Sequence, residues 1–467
     1  MKISNHLFRT YDIRGKFPKE FTSEMVLNIG RALGTFFGSG KTIIIGGDVR
    51  ISTPIIRSIL SAGLMEAGCN ILDVGICTTP TIYFLAVKNT VIDGGIMVTA
   101  SHNPIDYNGI KVCDQNGVSY HINNLFTQIK EMVEENTMVI VKNTEYGQPV
   151  LLQNINTSQY WQFQKDHFLP KTSLNIVVEI GNGTCFPIIK LLKSKKMNTK
   201  ALHSEPNGHF PVMIPDPATP SSLKFVQEAV IQDKLDIGIG FDADGDRVGF
   251  VDDQGVIISP DQVIMLFGEY LLQKYPKAEM MVDVKTSRAT FEYLSEQGAR
   301  VKFTRVGHSW IHEALLKSGA IFAGELSGHY YFGAEYYGFD DAIYSALRML
   351  EIISSQEQNL SRVIQNLPKY PSTEELRISC PEEIISEVVS NLKDILKDEA
   401  LNSITIDGIR AEFEDGWVLV RKSGTEPVIS IRAEAITSQR LHYYEKYIRN
   451  LVNDKIEEVM KKTKNLA

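Results

Sequence analysis

From Thr42 onward, apolar and polar positions fall into a repeating order. A short apolar run, Thr42–Gly46, predicts a strand, and "TPIIRSILSAGLMEAG" after it predicts an amphipathic helix. The run "NILDVGI" predicts a second strand, followed by a helix that Thr79-Pro80 opens, since proline is tolerated in the first helical turn. A third strand, "GGIMVTA", stops at Ser101. The order restarts at "LNIVVEIGNG", passes through the helix "PIIKLLKSKK" and reaches the strand "LDIGIGF". After "SPDQVIMLFGEYLLQKY" it starts once more, with "MMVDVKTSR", "RVKFTRVGH" and "AIFAGELSGH". This strand-helix alternation predicts three α/β units of similar size, with no residue-level repeat between them.

The pattern changes past the proline-containing stretch "LPKYPSTEE". Four strands ("ELRISC", "ITIDGIRAEFED", "GWVLVRKS", "VISIRAEA") and two helices ("EEIISEVVSNLKDILKD", "SQRLHYYEKYIRNLVNDKIEEVMKK") predict an antiparallel α+β unit able to move on that linker. The expected limits are 1–147, 148–256, 257–368 and 369–467.

Unusual polar groups begin where apolar strands stop: Ser101, Asp242, Lys285, His308 and Glu325. Ligands of open α/β sheets bind beyond the carboxyl ends of strands, so one shared cleft is expected.

Composition narrows the class. The chain has 467 residues, 43% hydrophobic and 22% charged, too long for one core and ordinary for a globular protein. A formal charge of −8 argues against nucleic acid as partner. Five scattered cysteines without CxxC spacing predict a reduced, cytoplasmic protein with neither disulfides nor a zinc site. The N-terminus has no apolar signal core, and no apolar run is long enough to cross a membrane.

"FDADGDRVGF" places Asp242, Asp244 and Asp246 at alternate positions, with Gly245 allowing a tight turn. Carboxylates this close repel unless a cation lies between them, and an all-oxygen set selects a hard ion such as Mg²⁺. A solvated acidic turn is the plain alternative, but both flanks read as strands. An EF-hand needs glycine at the sixth loop position, where Arg247 stands, and helices on both sides.

Taken together, "FRTYDIRG", "TASHNP", "DADGDR", "GELSGH" and "RKSGTEP", in that order across nearly the whole chain, resemble the α-D-phosphohexomutase superfamily. "GELSGH" with "VGHSW" and "DVKTS" is most similar to its bacterial phosphomannomutase/phosphoglucomutase branch. The resemblance implies an α/β protein of four domains in a heart-shaped arrangement. Three are related mixed-sheet α/β domains and the last is an α+β domain with an antiparallel sheet, all around a central cleft. It implies a monomeric, Mg²⁺-dependent enzyme that interconverts hexose 1-phosphate and hexose 6-phosphate. A phosphoserine at Ser101 and a hexose 1,6-bisphosphate, also the activator, would mediate the transfer.

The same resemblance assigns roles. Phosphorylated Ser101 joins Asp242, Asp244 and Asp246 as the metal ligands. Lys111 is the general base, expected among cations that lower its pKa, and Arg14 occupies the matching cationic position. His308 contacts substrate and moves protons, with His329 near it. Glu325 and Ser327, two apart in an extended chain, point the same way and take the sugar 3- and 4-hydroxyls. Arg421, Ser423, Gly424 and Thr425 cradle the non-reacting phosphate, with Lys422 loosening that loop where relatives carry proline. Tyr11, Arg247 and Lys285 complete the substrate contacts. His102 shapes the turn beside Ser101, and "GGDVR" and "GNGTC" serve backbone turns.

Taken alone, Ser101 reads as a turn or helix N-cap serine, Lys111 as a solvated surface lysine, and "RKSGTEP" as a hairpin loop. Among activities, phosphoglucosamine mutase is the nearest rival, which "GELSGH" in place of a glutamine-bearing form disfavours. A non-catalytic phosphosugar-binding protein is the remote one.

Overall fold

A computed structural model describes residues 3–141, 152–424 and 427–466. The limit expected at 147/148 and the candidate Thr425 lie outside these residues. Four sheets account for the predicted pattern. In the first, Ile13–Lys16, Tyr107–Asp114, Gly94–Val98, Thr42–Gly47, Asn70–Ile76 and Leu152–Asn154 lie side by side. Gly94–Val98, Thr42–Gly47, Asn70–Ile76 and Leu152–Asn154 run parallel, and the first two strands are antiparallel to their neighbours. Gly94–Val98 is buried at every position, as a strand covered on both faces must be, which is why it reads as an unbroken apolar run.

The second sheet orders Ile257–Ile258, Val248–Val251, Ile237–Phe241, Asn175–Glu179 and Asn198–Leu202 and is also mixed. In the third, Arg300–Thr304, Glu279–Asp283 and Phe322–Gly324 are parallel, and Tyr330–Phe332 closes the edge antiparallel. The fourth is wholly antiparallel: Leu376–Ser379, Val428–Ala435, Gly416–Lys422, Ile409–Phe413 and Asn402–Ile404. Three mixed sheets and one antiparallel sheet agree with the expected architecture.

One expected strand divides. "ITIDGIRAEFED" forms two strands, because Gly408, at φ 73°, turns the chain after Asp407.

One apolar core runs through the first three units, joining Ile82 and Tyr83 to Ile176 and Phe241 and then to Phe267 and Tyr344. The fourth unit has its own core around Ile385, Leu392, Val418, Ile431 and Ile448. It meets the third through a small cluster of Val284, Trp417 and Leu419. There the buried Arg410 guanidinium stacks 3.8 Å from the Trp417 ring and donates to Val284 O. The linker is partly fastened to the fourth sheet: Thr373 N donates to Ala433 O, and Ala435 N to Pro371 O.

Candidate active site

The serine comes first. Ser101 follows Gly94–Val98 in a turn, at φ 46°, an unfavourable conformation for any residue with a Cβ. It is not a helix cap. The turn is held from outside by Arg50, whose guanidinium donates to Ser101 O at 2.7 Å, Asn103 O at 2.5 Å, Pro104 O at 2.7 Å and Tyr107 O at 3.1 Å. Asp48 pairs with Arg50 at 3.2 Å and accepts from Thr53 and Thr99, while Thr99 Oγ1 accepts from Ser101 N. Thus "GGDVR" does more than turn the backbone; it carries the buried arginine that shapes the serine loop. Arg14 adds bonds to Ala100 O at 3.1 Å and Asn103 Oδ1 at 2.7 Å and contacts Asp12.

The chain then reverses. Tyr107–Asp114 returns antiparallel to Gly94–Val98, with Lys111 opposite Met97, which brings the lysine back beneath the serine turn.

The carboxylate loop follows Ile237–Phe241. Asp242, Asp244 and Asp246 are buried, so it is no solvated turn. Three successive carbonyls are fastened by three different units. Ala243 O accepts from Thr184 N and Oγ1, both at 3.0 Å, Asp244 O from Thr79 N at 2.7 Å, and Gly245 O from Ala342 N at 3.2 Å. Gly245 has φ 76°, and a Cβ there would strike Thr78 and Cys185 Sγ. Only glycine fits that turn.

The two loops meet. Ser101 Oγ donates to Asp242 Oδ2 at 3.0 Å and accepts from Arg247 Nη2 at 3.0 Å. Arg247 also pairs with Asp216 at 3.2 Å and contacts His102, whose Nδ1 lies 3.1 Å from Ser101 Oγ. His102 therefore touches side chains of the cluster as well as shaping the turn. Lys111 Nζ donates to Asp244 Oδ2 at 2.9 Å and Asp246 Oδ2 at 2.5 Å. Asp244 Oδ1 is buried without a hydrogen-bond partner, and Asp246 Oδ1 has only the longer ion pairs to His329 at 3.6 Å and Arg247 at 3.9 Å. Buried anionic oxygens are seldom left unpaired, and the all-oxygen set of Asp242, Asp244 and Asp246 fits a hard cation.

Lys111 corrects an expectation. It is not placed among cations. Burial would lower its pKa, but Asp244 and Asp246 outweigh burial and hold the ammonium charged. Burial and the neighbouring carboxylates push Asp242 up, whereas Lys111 and His329 overcome burial and keep Asp246 ionised.

From the third unit come the histidines and "GELSGH". His308 opens the helix His308–Ser318, 5.5 Å ring to ring from Tyr11 and 6.2 Å from His329. Burial, with Lys111 and His329 near, brings its pKa down to about 3, so the imidazole is neutral. His329 is the opposite case: burial is overcome by Asp246 and Glu325, which raise it to about 9. Burial disfavours the Glu325 carboxylate, yet His329 and Lys285 bring it down to about 2.

Glu325 and Ser327 are not in an extended chain. Glu325 N donates to His329 O and Gly328 N to Glu325 O, forming a tight turn between two antiparallel strands. Both side chains converge on His329 Nδ1, Glu325 at 3.3 Å and Ser327 at 2.8 Å. Lys285 Nζ reaches Glu375 of the linker at 3.4 Å.

The fourth unit supplies the last loop. Arg421 pairs with Asp407 at 3.1 Å, and Ser423 N closes the strand pair on Val428 O. Lys422, at the start of that loop, lies opposite Ile429 in the ladder, and its Nζ meets Glu382 at 2.6 Å. Gly424 O accepts from Thr10 Oγ1 at 3.2 Å, and Tyr11 OH donates to Val306 O at 2.6 Å. First, third and fourth units thus meet at one rim of the cleft.

Arg50, Asp48, Thr79 and Thr184 have no role in the site from sequence alone. "GGDVR" and "GNGTC" mark the segments of Asp48, Arg50 and Thr184 only as backbone turns, and Thr79-Pro80 marks only a helix start.

The same architecture occurs in known proteins. Models of one family match four consecutive segments: phosphoglucomutase/phosphomannomutase alpha/beta/alpha domain I over residues 5–139, domain II over 157–255, domain III over 259–370 and the C-terminal domain over 375–451. A Pseudomonas aeruginosa phosphomannomutase/phosphoglucomutase is 34% identical over 449 residues, covering 95% of both chains. A Neisseria gonorrhoeae phosphoglucomutase is 36% identical over 443 residues, 93% of this chain and 94% of that one. The crystal structure of a phosphoglucomutase/phosphomannomutase family protein from Burkholderia thailandensis superposes with a TM-score of 0.88 at 32% identity, covering 97% of this chain and 98% of the other.

Proposed function

The chain belongs to the phosphoglucomutase/phosphomannomutase family, and on that premise we propose how its cleft works. It is a phosphohexomutase, an intramolecular phosphotransferase that interconverts hexose 1-phosphates and hexose 6-phosphates, of glucose, mannose or both.

In this reading Ser101 carries the phosphoryl group. The observation that carries the reading is Ser101 Oγ, 3.0 Å from Asp242 Oδ2, in the same cluster as the buried, unpaired Asp244 Oδ1. Asp242, Asp244, Asp246 and an oxygen of the Ser101 phosphate would hold Mg²⁺, which when bound neutralises charge on the transferring group.

The sugar hydroxyl attacks phosphorus in line; a new P–O bond forms as the Ser101 Oγ–P bond breaks, and Oγ keeps the electron pair. The attacking hydroxyl gives up its proton. His308, neutral and buried with its pKa brought down to about 3, can relay that proton but holds it only weakly. Lys111 begins as an ammonium and acts first as counter-charge and proton donor at the carboxylate loop. Arg14 and Arg247 fix the serine turn and its oxygen. The hexose 1,6-bisphosphate so formed turns end over end, and the second half-reaction returns its other phosphoryl group to Ser101.

Glu325 and Ser327 take two neighbouring sugar hydroxyls, a pair that looks similar from either end, with His329 between them. This leaves the 2-hydroxyl largely unread, so gluco and manno sugars both fit. Arg421, Ser423, Gly424 and Thr425, with Tyr11 and Lys285, grip the non-reacting phosphate. The enzyme works as a monomer in the cytoplasm. Its five free, buried cysteines suit that compartment, and no helix among the described residues is long and apolar enough to cross a membrane.

A substrate panel tests this reading. Protein primed with glucose 1,6-bisphosphate in Mg²⁺ should convert glucose 1-phosphate or mannose 1-phosphate to its 6-phosphate. Conversion of neither would end it. Catalytic efficiency on glucosamine 6-phosphate above that on mannose 6-phosphate would favour the amino-sugar alternative.

A further inference from the structure

We infer that Thr79, in the first unit, is a positioning residue that fixes which oxygen of Asp244 faces the cation. This rests on the reading of Asp242, Asp244 and Asp246 as the metal site.

Thr79 is buried at the start of the helix Thr79–Lys88, next to Thr78, whose side chain caps that helix by accepting from Thr81 N. Thr79 makes two bonds to one residue of the second unit. Its N–H donates to Asp244 O, and its Oγ1 to Asp244 Oδ2, both at 2.7 Å. Lys111 Nζ, also from the first unit, donates to that same Oδ2 at 2.9 Å. Asp244 Oδ2 is therefore committed twice, and Oδ1 is left buried without a partner.

A carboxylate on a freely rotating χ2 presents either oxygen equally. Here the backbone bond pins the residue, the hydroxyl pins the side chain, and Oδ1 alone remains for an ion. The hydroxyl is the neutral half of that choice. Lys111 reaches Asp246 as well, so it does not distinguish one carboxylate from the other. The tip of the loop is seated on the same turn: at Gly245 even a Cβ would lie 2.8 Å from Thr78 Cγ2.

The consequence joins architecture to chemistry. Thr184, Thr79 and Ala342 come from three units and hold three successive carbonyls of the loop. Of these contacts, the Thr79 hydroxyl alone also reaches a ligand carboxylate. Docking of the first unit on the second would thus set the metal site, and the unit that carries Ser101 would also orient the cation that its phosphate meets.

The test uses Mn²⁺ as probe on the full chain, with affinity read by electron paramagnetic resonance. Thr79→Val removes the hydroxyl but keeps size and backbone N–H; Thr79→Ser keeps the hydroxyl. Outer partners of metal ligands typically contribute 10–100-fold in affinity, so Thr79→Val should weaken Mn²⁺ binding by about tenfold or more. Thr79→Ser should stay within about threefold of wild type, below the 10–100-fold loss expected for a lost outer partner. Unfolding of both variants in chelator should be equal. Wild-type affinity in Thr79→Val, or equal weakening in both variants, would overturn the inference. Thr79→Ala serves the same comparison if the valine variant does not fold. Asp244→Asn separates the two readings. If wild type and Asp244→Asn bind Mn²⁺ alike, the metal-site reading itself fails; if only Asp244→Asn is weakened, the role of Thr79 fails alone.

Discussion

Ser101 Oγ and Asp242 Oδ2 lie 3.0 Å apart although 141 residues separate them, and both are buried. The hydrogen bond joins the serine turn of one sheet to the carboxylate loop of the next. Asp242→Asn keeps the shape and removes the charge that would face the phosphoserine and its cation. Loss of one charge-stabilising group at a reacting centre typically costs 10²–10³ in turnover. We therefore expect kcat to fall by about a hundredfold or more, with folding intact by circular dichroism, whereas a loss under about fivefold would remove Asp242 from the reacting centre.

Arg50 is fully buried and spends its guanidinium on four carbonyls of the serine turn. Lysine offers one point charge and cannot reproduce that fork. Arg50→Lys should lower stability by about 2–4 kcal/mol, read by denaturant unfolding, since buried carbonyls lose their donors. Turnover should fall by about tenfold to a hundredfold as Ser101 is displaced, with KM less affected. Unchanged kcat in a destabilised variant would mean that the turn keeps its shape without Arg50.

His308 and Lys111 should separate in pH behaviour. His308 is neutral above a pKa of about 3, so as proton acceptor it stays available across the neutral and mildly acidic range. His308→Asn should lower kcat by about 10²–10⁴ without abolishing any inflection near pH 6.5 in kcat/KM. An inflection near 6.5 present in wild type and absent from His308→Asn would contradict the burial argument. Lys111→Ala should lower kcat more than a loss of binding explains, because Asp244 and Asp246 lose their shared counter-charge.

His312 offers a stability test away from the reaction. It is buried, and burial lowers its pKa to about 4 against a weaker opposing contact with the Tyr337 backbone. The sign follows from linkage. The unfolded chain binds a proton near the ordinary value of about 6.5 and the folded chain does not, so stability is lost as pH falls from there toward 4. At pH 5 this loss is about 2 kcal/mol. His312→Leu should lose about that much less than wild type between pH 7.5 and 5, by urea unfolding; an equal loss would show that burial does not depress the His312 pKa.

Much of the fold was legible because the α/β units bury their central strands on both faces, so Gly94–Val98 and Ile237–Phe241 read as apolar runs. The site was legible at strand ends, where Asp242, Lys285, His308 and Glu325 interrupt such runs. What the sequence hid is what depends on neighbours. Lys111 looked like a lysine among cations, and only the return of Tyr107–Asp114 beneath the serine turn sets it between Asp244 and Asp246. Glu325 and Ser327 suit an extended chain as well as a turn, and the pairing of Tyr330–Phe332 with Phe322–Gly324 decides for the turn. Arg50 and Thr79 act through bonds to residues about fifty and 165 positions away, which no local pattern encodes.

The central claim is that Ser101 carries the phosphoryl group, and phosphopeptide mass spectrometry tests it most directly. After priming with glucose 1,6-bisphosphate in Mg²⁺, one phosphoryl group should appear on Ser101. It should leave when excess glucose 1-phosphate takes it up as glucose 1,6-bisphosphate and that bisphosphate is removed as it forms. Phosphate on a different residue, or an active enzyme with Ser101 never phosphorylated, would contradict the account.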